Sequence, residues 1–314
     1  MEFQDKVVLI TGASSGIGAA TAIYFSKQSA KLALVGRKEN NLKAIGVYCL
    51  KAKGIRPLTI TADLTVEADV ERIVKETIDH FGRLDVLINN AGIVLMGGLK
   101  NSNMEIYDKV MATNMRSVYH LTMVATPHLI ESKGCVVNVS SVSSSMPSAM
   151  STAYNISKAA LDHFTKCAAL ELAPDGVRVN SVNPGFVKTN LYKNVGLNED
   201  QLNLVAQNMV GKNPMKKAIE GEEVGVLIAF LASDKAKTRL RLHIGWDQSQ
   251  SEAEADADAE ACVCQGGVGA STSFCNDPTR SAEAPTATTP GRAGAGAGRG
   301  TGAGRGESTV THSS

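Results

Sequence analysis

The sequence predicts an α/β fold: one domain built on a doubly wound parallel sheet with helices on both faces. Three observations predict it. Apolar, β-branched runs alternate with helical periods; a glycine-rich turn joins the first strand to the first helix; and after residue 236 the composition changes to one that builds no core. Strand–helix alternation means parallel strands joined by right-handed crossovers, so helices cover both sheet faces. Ligand sites then gather beyond the carboxyl ends of the strands.

The first strand is predicted at 7–10 and runs into Thr11, Gly12, Ala13, Ser14, Ser15, Gly16, Ile17 and Gly18, after which a helix is predicted over 17–29. Glycines at 12, 16 and 18 let the backbone turn tightly and approach a diphosphate, while N–H groups at the helix start meet its charge. The spacing is G-x-x-x-G-x-G, which departs from the G-x-G-x-x-G fingerprint, and such a cluster by itself could equally be a helix cap or a flexible turn. Further strands are predicted at 31–35, 56–61, 84–88, 135–139 and 177–182. Helices are predicted near 38–53, 66–81, 103–131 and 152–173.

On the last of these helices Tyr154 and Lys158, in YNISK, stand four residues apart, about one helical turn, so the phenol and the ammonium share a face. A free phenol with a pKa of roughly 10 is a poor acid at neutral pH unless a cation stabilises the phenolate. A unit charge about 4 Å away is worth on the order of 4 kcal/mol at an effective dielectric near 20, enough for acid–base work. The competing reading of an isolated pair is a half-buried ring beside a solvated charge. Ser141, thirteen residues earlier and at the end of a predicted strand, favours the chemical reading.

Taken together, TGASSGIG at 11–18, Asp63-Leu64, NNAG at 89–92, Asn114 in TNMRS, Ser141, YNISK at 154–158 and NPGFVKT at 183–189 resemble the classical short-chain dehydrogenase/reductase family. The chain is similar to its 3-oxoacyl reductase-like members from about residue 5 to about residue 236. The resemblance implies a single Rossmann-type domain and hydride transfer between a nicotinamide and a ketone or secondary alcohol. It makes Tyr154 the proton donor or acceptor and Ser141 the hydrogen-bond donor to the substrate oxygen. Lys158 would hold the nicotinamide ribose and lower the tyrosine pKa, and Asn114 would anchor a water that relays protons. Asp63 and Leu64 would lie at the adenine, and Asn90 with Ala91 and Gly92 beside the ribose. Pro184, Gly185, Val187 and Thr189 would lie at the nicotinamide end.

The second strand ends in Leu34, Val35, Gly36, Arg37 and Lys38, which supplies two bases and no acid. An Asp or Glu there would hold both ribose hydroxyls of NAD, whereas an arginine forks onto a 2′-phosphate. NADP(H) is therefore expected and NAD(H) stays the alternative, since Arg37 and Lys38 could simply begin a solvated helix. The lid is expected over 186–214. Leu191, Val195, Leu197, Leu202, Leu204, Val205 and Met209, with Met96 and Met146, suggest either an apolar substrate cleft or the packing face of the lid helix. The substrate class expected is a carbonyl or alcohol with a hydrocarbon portion, of the 3-oxoacyl, steroid or xenobiotic type.

At 314 residues with 43% hydrophobic content the chain suffices for one large α/β domain, and its net charge of +1 argues against nucleic acid or an anionic membrane as partner. No apolar run is long enough to span a bilayer, and the start MEFQDKVVLI lacks a signal-peptide layout, so a cytoplasmic location is expected. Of the six cysteines, Cys49, Cys135 and Cys167 read as free buried thiols; Cys262, Cys264 and Cys275 make neither a convincing disulfide nor a metal site.

Beyond Ala236 the family pattern stops. The usual last strand is absent from the pattern, an alternating acidic–alanine run covers 252–261, and 293–306 is Gly-, Ala- and Arg-rich. Residues 237–314 are expected to be disordered, and Arg292, Arg299 and Arg305 are too few for an RNA-binding segment. A missing last strand would leave the sixth strand as a bare edge and put the dimer or tetramer expected from the resemblance in doubt. Two functions stay open: an active NADP(H)-dependent oxidoreductase, or a catalytically impaired splice or frameshift form that acts by binding or mixed oligomerisation.

Overall fold

The computed structural model describes residues 2–191, 199–212, 215–236 and 243–245, all within one compact unit, Met1–Ala259. Six strands match the expected runs: Val7–Thr11 (β1), Lys31–Gly36 (β2), Leu58–Thr61 (β3), Val86–Asn89 (β4), Cys135–Val139 (β5) and Arg178–Asn183 (β6). β3 starts after Pro57, which has no N–H to give the ladder. All strand pairs are parallel, in the order β3-β2-β1-β4-β5-β6.

β1 is buried along its whole length and alternates its side chains between two cores. Val8 and Ile10 join Phe25, Leu34 and Ile228 under Gly16–Lys27 (α1), Glu39–Lys53 (α2) and Gly221–Ala232 (α8). Val7 and Leu9 join Ile73, Leu121, Leu129 and Leu172 under Glu67–Phe81 (α3), Ser117–Ser132 (α5) and Thr152–Leu172 (α6). Burial on both faces is why β1, β2, β4 and β5 read as largely apolar runs. Each such Leu or Ile contributes about 1.5–3 kcal/mol.

Three features depart from the sequence reading. The single helix expected over 103–131 is Met104–Met111 (α4), a π-helical turn Ala112–Arg116 and α5. Helix α8, capped by a reciprocal Glu220–Glu223 box, had no counterpart among the expected helices. Beyond β6, His243–Gly245 (β7) pairs with Ser181–Asn183, so three residues of the presumed tail cover that part of the edge expected to be bare. The remaining tail features, including Cys262, Cys264, Cys275 and the arginines, lie outside the described residues. Cys49 and Cys135 are buried, their thiols pushed up to about 11 mainly by that burial, whereas Cys167 is exposed, contrary to expectation.

Where the strand order reverses, between β1 and β4, the carboxyl ends diverge and open a crevice. Thr11 fastens its floor: Oγ1 accepts from the N–H groups of Asn90 (2.9 Å) and Ala91 (3.1 Å) and donates to the Ile88 carbonyl (3.2 Å).

Candidate active site

The β1–α1 turn forms one end of the crevice. Gly12 has φ +66, and a Cβ there would stand 2.8 Å from Asn90 Nδ2 and 2.9 Å from the Ala91 Cα. At Gly18 a Cβ would meet Asn90 Nδ2 and the Gly12 carbonyl oxygen, each at 2.4 Å. Only hydrogen fits at either position. Asn90 Nδ2 uses the room so left to donate to the carbonyls of Thr11 (2.8 Å) and Gly12 (3.3 Å), which holds the turn against β4. Helix α1 then starts at Gly16 with no side-chain cap from Ser15. A shallow glycine turn leading to an uncapped helix start fits the diphosphate of a dinucleotide.

Above this turn lies a cleft of about 520 Å³ that gathers nearly every site residue expected from the sequence. Gly12, Ser14, Ser15, Gly16 and Ile17 line one side, and Arg37 and Lys38 stand at the end of β2. Asp63 and Leu64 follow β3; Asn90, Ala91 and Gly92 follow β4; Ser141, Tyr154 and Lys158 stand opposite; and Pro184, Gly185, Val187 and Thr189 follow β6. Gly18 and Asn114 lie behind the lining rather than in it. Arg37 Nη1 is 4.0 Å from Asp63 Oδ2, with both side chains well exposed. The Thr65 backbone N–H is the main cause holding the Asp63 carboxyl below its ordinary value, with Arg37 a smaller contribution.

At the chemical end, α6 presents Tyr154 and Lys158 on one face, the Lys158 Nζ 5.7 Å from the centroid of the Tyr154 ring. Lys158 is buried, and burial pushes its amine down to about 8, with the charge of Asp162 opposing. Its Nζ donates to the Val139 carbonyl at 2.8 Å, which commits one of three hydrogens and leaves two directed elsewhere. Ser141 caps the short turn after β5: its Oγ accepts from the Ser143 N–H at 3.1 Å, so the hydroxyl hydrogen is left to donate to an oxygen in the cleft.

Asn114 sits in the π-turn, the kind of local widening that recurs at functional sites. Its Oδ1 accepts from the Ile93 N–H (2.8 Å), and its Nδ2 donates to the Ile93 carbonyl (2.9 Å) and Ser157 Oγ (3.0 Å). Ser157 in turn donates to the Tyr154 carbonyl at 2.7 Å, so Asn114 is latched to the turn of α6 that carries the tyrosine. Gly92 separates this carboxamide from the cleft: a Cβ there would lie 3.3 Å from Asn114 Oδ1 and 3.7 Å from Lys158 Nζ.

Of the apolar residues the sequence suggested for the wall, Leu191 lines the cleft and most of the others do not. Val94 with Ile93, Leu95, Tyr107 and Leu191 packs around Tyr154, and of these Ile93, Val94, Leu95 and Leu191 face the cleft. Among the described residues, Met96, Met146, Leu202, Leu204, Val205 and Met209 do not line it, and Leu204 and Met209 are exposed on Glu199–Lys212 (α7). Val195 and Leu197 lie outside the described residues. Sequence reasoning also missed Asn41, Lys109 and Thr113 in the lining. Thr113 had a signal in standing directly before Asn114, and Asn41 in its place in the first turn of α2.

No group of acids, histidines or cysteines that could hold a metal occurs among the described residues, and no helix among them is long and apolar enough to cross a membrane.

Comparison with known proteins agrees with this geometry. A family model described as short chain dehydrogenase matches residues 6–200. An uncharacterized oxidoreductase of Thermotoga maritima is 38% identical over 238 residues, 75% of this chain and 93% of that protein. A meso-2,3-butanediol dehydrogenase of Serratia marcescens is 33% identical over 236 residues, 75% and 90% of the two chains. The crystal structure of levodione reductase matches with a TM-score of 0.75 at 32% identity, covering 80% of this chain and 99% of that one. With its glycine turn, its switch-point cleft and these relatives, the chain belongs to the short-chain dehydrogenase family, oxidoreductases that bind a nicotinamide cofactor and act on CH–OH and carbonyl groups.

Proposed function

We propose that the protein is an NADP(H)-dependent oxidoreductase for a ketone or secondary alcohol with a hydrocarbon portion, of the 3-oxoacyl, steroid or xenobiotic carbonyl type. The observation that carries the chemistry is the meeting of Ser141, Tyr154 and Lys158 at the apolar end of the cleft whose other end holds the glycine turn. A bound nicotinamide supplies or accepts the hydride. In reduction the Tyr154 hydroxyl gives its proton to the carbonyl oxygen, and in oxidation it takes the proton back. Ser141 donates a hydrogen bond to the same oxygen and fixes its position. Lys158 would hold the ribose hydroxyls with its two remaining hydrogens and supplies the positive charge beside the phenol. Asn114 keeps α6 and the Ile93 backbone in register behind them.

Support for NADP(H) comes from Arg37 and Lys38 in the lining at the end of β2, where a 2′-phosphate would meet a fork of donors. Support for an apolar substrate comes from Ile93, Val94, Leu95 and Leu191. Fluorescence titration with NADPH and NADH tests the cofactor: Arg37→Ala is expected to weaken NADPH about tenfold or more while leaving NADH nearly unchanged. Equal affinity of the wild type for both cofactors would overturn that part. A panel of ketones with Tyr154→Phe tests the chemistry. Turnover is expected to vanish while NADPH binding persists, and loss of both would make Tyr154 a structural residue.

A cytoplasmic homo-oligomer, dimer or tetramer, completes the proposal. Exposed Tyr119 and Met123 on α5 and Leu170 on α6 supply apolar surface on the side where Tyr119 also meets the Phe164 ring. A monomer mass by light scattering at micromolar concentration would count against self-association.

A further inference from the structure

We propose that Asp162 and Asn183 form a positioning brace beneath the reacting centre: Asn183 ties the Ser141 turn to α6 at Asp162, and Asp162, one helical turn beyond Lys158, attracts the Lys158 ammonium. The inference rests on the assignment of Ser141, Tyr154 and Lys158 as that centre, and it gives roles to two residues outside it.

Asn183 is the last residue of β6 and is 1% exposed. Its Nδ2 donates to the Ser141 carbonyl (3.2 Å), Ser144 Oγ (3.1 Å) and Asp162 Oδ2 (2.8 Å). Two of these partners, the Ser141 carbonyl and the Asp162 carboxylate, can only accept, which fixes which end of the side chain is nitrogen. The backbone follows the same seam: the Ser140 N–H donates to the Val182 carbonyl (2.8 Å) and the Val142 N–H to the Pro184 carbonyl (3.1 Å). Ser141 therefore lies in a segment held to β6 through its neighbours' backbones and to α6 through Asn183. An amide can make both ties at once; an apolar residue at 183 would leave the segment tied to α6 next to Ser141, where Ser140 Oγ donates to the Lys158 carbonyl (3.3 Å).

Asp162 stands one turn beyond Lys158 on α6, on the face that Tyr154 and Lys158 share. The groups around the Lys158 ammonium divide cleanly. From α6 comes the Tyr154 ring, with Asp162 one helical turn further along; from β5 comes the Val139 carbonyl; from behind Gly92 comes the Asn114 carboxamide. Of these, Asp162 is the acidic residue. Its attraction opposes the burial that drives the Lys158 amine down to about 8. Without it the amine would lose its proton nearer neutrality, and with it the charge that attends Tyr154.

The test is Asp162→Asn, which keeps a carbonyl oxygen for Asn183 and removes only the charge. In the protein without cofactor, ¹⁵N-lysine NMR follows the Lys158 ammonium, assigned by the signal missing from Lys158→Met. The expected result is a titration midpoint lower by about one pH unit, restored in Asp162→Glu. The alkaline limb of kcat/KM should shift downward with it, and the melting temperature at pH 7 should change little. An unchanged Lys158 midpoint in folded Asp162→Asn overturns the role of Asp162.

Asn183→Ala, which leaves the carboxylate in place, is read by amide hydrogen exchange at Ser143 and Ser144. Exchange is expected to quicken about tenfold or more, with kcat falling more than cofactor affinity; unchanged exchange overturns the tie to Ser141. Both readouts are made without substrate, so a wild type that turns over no ketone or alcohol would refute the proposed function and leave this inference to be decided by the titration and the exchange.

Discussion

Lys158→Met should exchange activity for stability in a pH-dependent way. Lys158 is 5% exposed, and burial, opposed by Asp162, takes its amine from the ordinary 10.5 to about 8. Between those values the unfolded chain binds a proton that the folded chain does not, so wild-type stability rises with pH across that window. The displacement corresponds to about 3 kcal/mol at neutral pH, of which about 2 kcal/mol is regained by pH 9.5. Methionine fills similar volume without charge, so a curve of its stability against pH lacks this contribution. Urea unfolding followed by far-UV circular dichroism at pH 7, 8 and 9.5, on both proteins, isolates the difference because the other titrating groups cancel. The stability of the variant relative to the wild type should fall by about 2 kcal/mol from pH 7 to pH 9.5, while turnover is absent throughout. A difference that stays flat, or grows, would refute the reasoning, since it would mean that the ammonium is solvated or fully compensated in the folded state.

Gly18→Ala forces a Cβ to within 2.4 Å of Asn90 Nδ2 and of the Gly12 carbonyl oxygen. Loss of about 2 kcal/mol of stability is expected, with dinucleotide affinity falling at least about tenfold as the turn shifts, read by thermal melting and NADPH fluorescence. Asp85, 3% exposed just before β4, accepts from Arg83, the Val7 N–H and Lys6, which together outweigh the upward push of burial and hold its carboxyl below its ordinary value. Its stabilisation is therefore present above about pH 4 and is lost as pH falls through the lower folded value. Asp85→Asn should cost about 2 kcal/mol at pH 7, and the gap in melting temperature to wild type should narrow between pH 5 and pH 3. A constant gap across that range would show that the charge contributes nothing.

β1, β2, β4 and β5 were legible because they are buried along nearly their whole length and so read as largely apolar runs; β3 (LTIT), at the sheet edge, and β6 (RVNSVN) were legible from their β-branched residues instead. The division of the 103–131 helix was not legible, because only the i→i+5 backbone hydrogen bonding reveals the widening around Asn114. β7 was hidden for another reason. Three residues, His243–Gly245, carry too little pattern to announce a strand, and pairing with Ser181–Asn183 is what makes them one. In the site, the glycine turn and YNISK were visible as spacings within single elements. The bonds of Ser157 and Asn183 were not, because each acts through a partner far away in the chain, Ser157 with Asn114 and Asn183 on Ser141, 42 residues before it; Asp162, four residues after Lys158, reads as an ordinary helical charge pair until burial of the lysine is known.

What the sequence determined by itself was the alternation of strand and helix, the positions where only glycine fits, and the helical turn that puts Tyr154 and Lys158 on one face. These follow from local rules, the period of a helix and the missing Cβ of glycine. Tertiary structure alone decided that Ser141 meets that face, that Ile93, Val94 and Leu95 join Leu191 in the cleft wall while the methionines do not, and that burial lowers the Lys158 amine to about 8. Burial and charge environment depend on which elements pack together, and packing is set by the whole sheet rather than by any segment of it.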